Sequence, residues 1–328
     1  MFNIKLNPLW SKTVLVITFS FLLLLSSYVL IDPEGSAKNL LNIYNFFAIN
    51  FESFFLYFGF GVLVFLIIIS ISKSGSKKIL LQGRTTYSYF SWYSMLFATG
   101  MGAALLYWST YEWLVYYTNP ISGEEQSLLK ARSYPLFHWT FTGWALYILP
   151  TVSFVFSLMK NPNTPLTFSG ILLKEQSGPL RIILDIFFIG AILTGAGVGL
   201  ALSFPLMSAA VSKLFNLNQT IYLDFLMLLI CMFIVAISVY KGLQNGIRKL
   251  SNFNIILVII FLTLILLAGP TKYIVTNTIE PFVYIVKNYL SLSLIKSQYS
   301  LDWTVFYWAW YIALAPAVGA FIVNISNN

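Results

Sequence analysis

The sequence predicts an all-α polytopic membrane protein, and three observations carry that reading. Only 9% of the 328 residues are charged, whereas 58% are hydrophobic and 18% aromatic; a soluble domain carries roughly 25% charged residues. Apolar runs of the roughly 20 residues needed to cross a bilayer recur along the chain, giving about eight transmembrane helices. The net charge of +8, from 19 basic and 11 acidic residues, is scattered singly or in small groups between those runs. Scattered charge sets membrane orientation and forms no nucleic-acid surface. Length alone suggests two domains, but helices packed in lipid make one bundle.

The first run, residues 13–31, follows Lys5 and Lys12. It is longer than the apolar stretch of a signal peptide and no A-x-A pattern follows, so it reads as a retained anchor. The second run is 51–71 and the third 89–117. The fourth, 136–159, has Ser133 and Pro135 ahead of it, which puts proline in the first helical turn. The fifth, 182–211, contains Gly190, Gly195, Gly197 and Gly199, small residues that admit a neighbouring backbone. The sixth, 221–240, holds the lone Cys231, which reads as a packed thiol. The seventh is 253–269 and the eighth 303–323. Between these two, residues 271–302 contain Pro281 and apolar residues at mixed three- and four-residue steps. They form an amphipathic helix, lying on the outer membrane surface or packed on outer loops.

Orientation follows from the basic residues. With the N-terminus inside, Lys5, Lys12, Lys73, Lys77, Lys78, Arg84, Lys160, Lys174, Arg181, Lys241, Arg248 and Lys249 lie on the cytoplasmic side. Lys38, Lys130, Arg132, Lys213, Lys272, Lys287 and Lys296 lie outside. The excess predicts a multi-pass protein of the inner (plasma) membrane with both termini cytoplasmic.

Two spans carry interruptions. Gly100-Met101-Gly102 falls within the third, and Ala315-Pro316 with Gly319 within the eighth. Each follows an aromatic group, Phe90-Ser91-Trp92 and Phe306-Tyr307-Trp308, at an offset of 216 residues, which suggests an internal repeat. Broken helices at corresponding places in two halves point to a transporter site, although glycine and proline are also common in ordinary membrane helices.

Aromatic residues supply the candidate site. Trp139, Trp144 and Tyr147 on a continuous fourth helix fall near 0°, about 140° and about 80° on its wheel, spread over roughly 12 Å of axis. The eighth span adds Tyr307, Trp308, Trp310 and Tyr311. Trp10, Trp113 and Trp303 suit the interface belt, whereas Trp144 and Trp310 lie deeper. A cavity walled by such rings holds quaternary ammonium groups, which have no hydrogen to donate, at about 0.5–2 kcal/mol per ring. Simple aromatic packing accounts for the same residues equally well.

Enzymatic chemistry finds little footing. His138 is the single histidine, and no nucleophile elbow, phosphate loop, zinc-protease or dinucleotide motif is present. No cofactor is implied. The acidic residues near spans are Glu52, Glu112, Asp185 and Asp224; Asp185 pairs naturally with Arg181 four residues earlier. Glu112 draws most interest, with closure of the third helix as its structural reading.

The stretches FATGMGAALLYWSTYEW, LFHWTFTGWALY, the glycine-rich fifth span, SVYKGLQNGIRKLSNFN and DWTVFYWAWYIALAPAVGAFIVNIS together resemble the betaine/carnitine/choline transporter family. They cover most of the chain from about Tyr89 onward, and the last is the most specific. The resemblance implies secondary active transport of glycine betaine, carnitine or choline by alternating access, on a LeuT-like helical bundle of inverted repeats. Residues 13–71 would be two peripheral helices, 89–269 the first five-helix repeat, 271–302 the outer amphipathic helix, and 303–323 the first helix of an incomplete second repeat. Trp139, Trp144, Tyr147, Trp308, Trp310, Tyr311 and Met101 would contact the substrate.

The sequence departs from the family at several of these positions. Tyr311 stands where tryptophan is usual, Leu314 replaces a further tryptophan, Ala104 replaces a glycine and Trp113 replaces a proline. In sodium-coupled members, backbone carbonyls matching Ala98 and Met101 face the ion; LYWSTYEW is also similar to exchangers, some of which need no sodium. The resemblance further implies a homotrimer. The family's four later helices lie beyond the matched part. The chain therefore reads as a transporter or the N-terminal part of one, or alternatively as a non-transporting remnant or a subunit needing a separate C-terminal partner.

Overall fold

The computed structural model describes residues 8–76, 87–100, 103–120, 125–173 and 178–326. The regular structure is helical throughout them: α1 Pro8–Ile31, α2 Pro33–Ile71, α3 Tyr89–Gly100, α4 Ala103–Thr118, α5 Leu128–Trp139, α6 Phe141–Lys160, α7 Phe168–Leu172, α8 Pro179–Phe215, α9 Ile221–Tyr240, α10 Arg248–Ala268, α11 Thr271–Leu294 and α12 Val305–Ile325. Short π-helical segments, Leu243–Ile247 and Ser300–Thr304, precede α10 and α12. Seven segments among the described residues are long and apolar enough to cross a membrane. The chain is an all-α polytopic membrane protein.

Several boundaries differ from the sequence expectation. The second helix starts at Pro33 rather than at residue 51, because Asp32 caps it by accepting from Gly35 N at 3.0 Å, with proline and Glu34 in the first turn. Its 39 residues make a rod of about 58 Å, longer than a bilayer core of about 30 Å. The fourth span begins at Leu128, where Ser127 accepts from Lys130 N, so Pro135 lies inside α5 and not in an opening turn. The single continuous fourth helix is also corrected. Thr140, at φ −109° and ψ −121°, separates α5 from α6, and the wheel of one straight helix does not apply across it.

The eighth span is not interrupted at Ala315-Pro316: α12 runs through Pro316 to Ile325. Dense packing holds a helix at a missing N–H, and Pro316 is buried. Gly319 is the position of closest approach to α6, since a Cβ there would lie 2.9 Å from Thr151 N and 3.0 Å from Pro150 Cβ. In the third span, α3 and α4 flank residues 101–102, which lie outside the described residues.

The core gathers on α12. Half of its membrane window is buried, against 6% for α8 and 11% for α9. Leu146 and Tyr147 of α6, Val62 of α2, Phe137 of α5 and Ile285 of α11 close around Tyr307, Trp308, Tyr311 and Val318. Trp308 is seated against α2 because Gly59 has no Cβ to meet its indole.

The segment between α10 and α12 is helical from Thr271 to Leu294, with a kink at Asn288, and packs on α5 and α2. Arg132 bonds Asn277 and donates to the Tyr273 hydroxyl at 2.7 Å. Tyr289 pairs with Thr142 at 2.5 Å, and burial pushes its phenol above the ordinary value. The π segment before α12 is tied down from two sides. Ser300 Oγ donates to Glu52 at 2.5 Å, and Tyr299 donates to the carbonyls of Tyr116 and Asn119.

Candidate functional site

The break at Thr140 decides the site. Trp139 is the last residue of α5, and Trp144 and Tyr147 follow on the first turns of α6. With Tyr311 of α12, Gly100 at the end of α3 and Gly143, these residues line one narrow void. The rings meet edge to face. Trp144 and Tyr147 have centroids 6.1 Å apart, Trp139 and Tyr311 6.5 Å, and Tyr147 and Tyr311 4.9 Å. Edge-to-face pairing is the favoured arrangement of aromatic quadrupoles.

Two glycines make this convergence sterically feasible. A Cβ on Gly100 would stand 2.6 Å from the Trp144 ring, and one on Gly143 would stand 2.8 Å from both the Tyr311 ring and the His138 carbonyl. The sequence pointed to Gly100 as part of the interrupted third span, whereas Gly143 was not singled out. The one available hint was the position of Gly143 directly before Trp144, since the contact itself joins α6 to α12.

The other expected residues sit differently. Trp308 is 1% exposed and faces α2, Phe137 and His138, outside the lining of the void. Trp310 lies tilted against Phe306, with centroids 6.3 Å apart, and approaches the Tyr147 hydroxyl. Ala98 is on the last turn of α3, and Met101 lies outside the described residues. Tyr147 and Tyr311 are in direct edge-to-face contact, which leaves no space for a further group between the two rings.

Behind Trp139 is a buried polar cluster. Glu112 of α4 is 1% exposed and His138 of α5 fully buried. Glu112 Oε2 accepts from the Tyr307 hydroxyl at 2.8 Å and from Trp139 Nε1 at 3.3 Å. Tyr307 in turn receives Trp139 Nε1 at 3.2 Å, and His138 Nε2 pairs with Thr304 at 2.9 Å. One edge of the Trp139 indole is thus fixed by a carboxylate, while the residue itself lines the void. The sequence named Glu112 and His138 separately; only folding joins them.

The model of the betaine/carnitine/choline family of transporters matches residues 13–327. The chain is similar to a carnitine transporter of Acinetobacter baumannii, at 28% identity over 83% of this chain and 52% of that one. It is also similar to a glycine betaine transporter of Acinetobacter baylyi, at 27% identity over 99% of this chain and 50% of the relative. A high-affinity choline transport protein of Escherichia coli is 28% identical over 81% of this chain and 41% of its own length. The chain spans about half the length of the curated relatives it matches.

Proposed function

The chain belongs to the betaine/carnitine/choline transporter family, and from that premise we propose that it binds a quaternary ammonium solute in the void between α5, α6 and α12. The substrate class is that of glycine betaine, carnitine and choline, which the relatives' names attach to those relatives. The single observation that carries the reading is the meeting of Trp139, Trp144, Tyr147 and Tyr311 around one void. Each desolvated ring contributes about 0.5–2 kcal/mol to a cation. Part of that sum is offset by immobilising the solute, so affinity is moderate, as a carrier that must release its cargo requires.

Transport proceeds by alternating access across the inner membrane with both termini cytoplasmic, a reading supported by the bias of basic residues. Tryptophan fluorescence titration of the purified protein with choline, carnitine and glycine betaine tests the binding step, and uptake of the labelled solutes into proteoliposomes tests transport. Saturable binding with a trimethylammonium preference is expected. Binding that is equal for an uncharged isostere counts against the cage.

A second reading is favoured by one feature of α8. Gly195 meets Leu314, but Gly197 and Gly199 face open space. Small residues serve close backbone approach, so a further helical unit covering this face would make the chain a subunit that depends on a separate partner. Uptake restored only on adding such a partner distinguishes the two readings.

A further inference from the structure

We propose that α11 splints the break between α5 and α6, and that Tyr289, acting through Thr142, is a positioning residue for the aromatic void. The inference rests on the reading of the void as an ammonium site and names what holds its walls in register.

The need for a splint follows from the break. Within one α-helix the backbone ladder fixes the direction of each later residue. At Thr140 the backbone leaves the helical region, with φ −109° and ψ −121°, and α6 starts anew from the Thr140 carbonyl, which accepts from Trp144 N at 3.2 Å. Trp139 precedes the break, whereas Trp144 and Tyr147 follow it. The angle between the two helices therefore sets how these rings face one another. That angle is left to contacts made on both sides of Thr140.

α11 makes such contacts on each side. Toward α5, Arg132 bonds Asn277 and Tyr273, and the Phe137 ring meets Tyr289 edge to face with centroids 5.6 Å apart. Toward α6, the Phe141 ring meets Tyr289 at 5.8 Å and Phe282 at 6.0 Å. Tyr289 thus spans the break with a single ring. Its hydroxyl pairs with Thr142 Oγ1, and Thr142 is buried.

Thr142 carries this restraint to the site. It directly precedes Gly143, where a Cβ would stand 2.8 Å from the Tyr311 ring, and Trp144, which lines the void. The Thr142 methyl faces α2, since a Cβ on Gly59 would lie 3.1 Å from it. Thr142 is therefore held by its hydroxyl from α11 and by its methyl from α2, and a shift there moves Trp144 relative to Trp139. Misplacing the walls of a binding site by about 1 Å is enough to lose affinity. Tyr289 stands outside the residues that line the void, so its effect reaches the solute through Thr142.

Two measurements on the purified chain in detergent test the proposal. The first is choline titration by tryptophan fluorescence of Tyr289→Phe, Thr142→Val and the double variant. Tyr289→Phe keeps the ring between Phe137 and Phe141 and removes only the hydroxyl. Each single variant should bind choline on the order of three- to tenfold more weakly, and the double variant no more weakly than either, because both remove the same contact. The second is the distance between spin labels on Leu129→Cys of α5 and Phe156→Cys of α6, both exposed positions, with the lone cysteine removed as Cys231→Ser. The labels are about 35–40 Å apart along the two helices. The parent should give one narrow distance, and Tyr289→Phe a shifted or broader one in the absence of any solute.

An unchanged distance in Tyr289→Phe overturns the splint and leaves the void as an ammonium site. A changed distance with unchanged choline affinity overturns the positioning role of Tyr289, as does a double variant whose loss is the product of the two single losses. No choline binding by the parent overturns the ammonium reading and with it the positioning role, whereas the label distance still decides whether α11 holds the break.

Discussion

The hydroxyl of Tyr311 donates to the main-chain carbonyl of His138 at 3.1 Å, in the buried core. That carbonyl belongs to the last turn of α5, where the helix stops and its acceptors need partners from elsewhere. Tyr311 therefore does two things at once, satisfying the helix end with its hydroxyl and walling the void with its ring.

Tyr311→Phe separates the two roles. The ring is kept, but a buried carbonyl loses its donor, at about 1–3 kcal/mol. Thermal unfolding should shift to lower temperature while choline titration still reports binding. An unchanged unfolding temperature would show that the carbonyl has another donor.

Gly143→Ala tests the close approach of α12 to α6. Its Cβ would collide with a backbone oxygen as well as with the Tyr311 ring, and overpacking of this kind costs about 1–3 kcal/mol. Reduced stability together with weaker solute binding is expected from parallel unfolding and fluorescence measurements. A neutral effect on both would mean that the crossing is looser than the geometry indicates.

Trp144→Ala and Tyr147→Ala each remove one ring. Binding should weaken by about two- to thirtyfold per ring, with a smaller effect on folding for the half-buried Trp144 than for Tyr147, which is 4% exposed. Equal affinity in the Trp144 variant contradicts the cage.

Ser300→Ala probes the anchoring of the π segment to α2. Ser300 donates to Glu52, which also lies 3.6 Å from Lys296. The serine contact is buried and its loss should cost about 1–3 kcal/mol. Lys296 is 55% exposed, so Lys296→Ala should move stability by less than about 1 kcal/mol. Chemical unfolding of both variants in the same detergent gives the comparison, and equal losses refute the distinction.

Composition and apolar run length were sufficient for the membrane class and, among the described residues, for the approximate position of seven of the eight expected spans, the third falling instead on the two shorter helices α3 and α4, because lipid forces each spanning segment to be a long apolar helix that satisfies its own backbone. The residue types of the void, Trp139, Trp144, Tyr147 and Tyr311, were legible for a related reason: indoles and phenols deep in a span need an enclosed setting. What the periodic pattern could not carry was phase. The break at Thr140 turns α6 away from α5, and the continuity of α12 through Pro316 depends on neighbours that pack around the missing hydrogen bond. Tertiary structure alone decided that Trp308 faces α2 and not the void, and that Glu112, His138, Trp139 and Tyr307 share one buried cluster. Helices from distant parts of the chain meet there, and the contacts between them depend on crossing geometry and on the glycines that permit it, neither of which is periodic along a single helix.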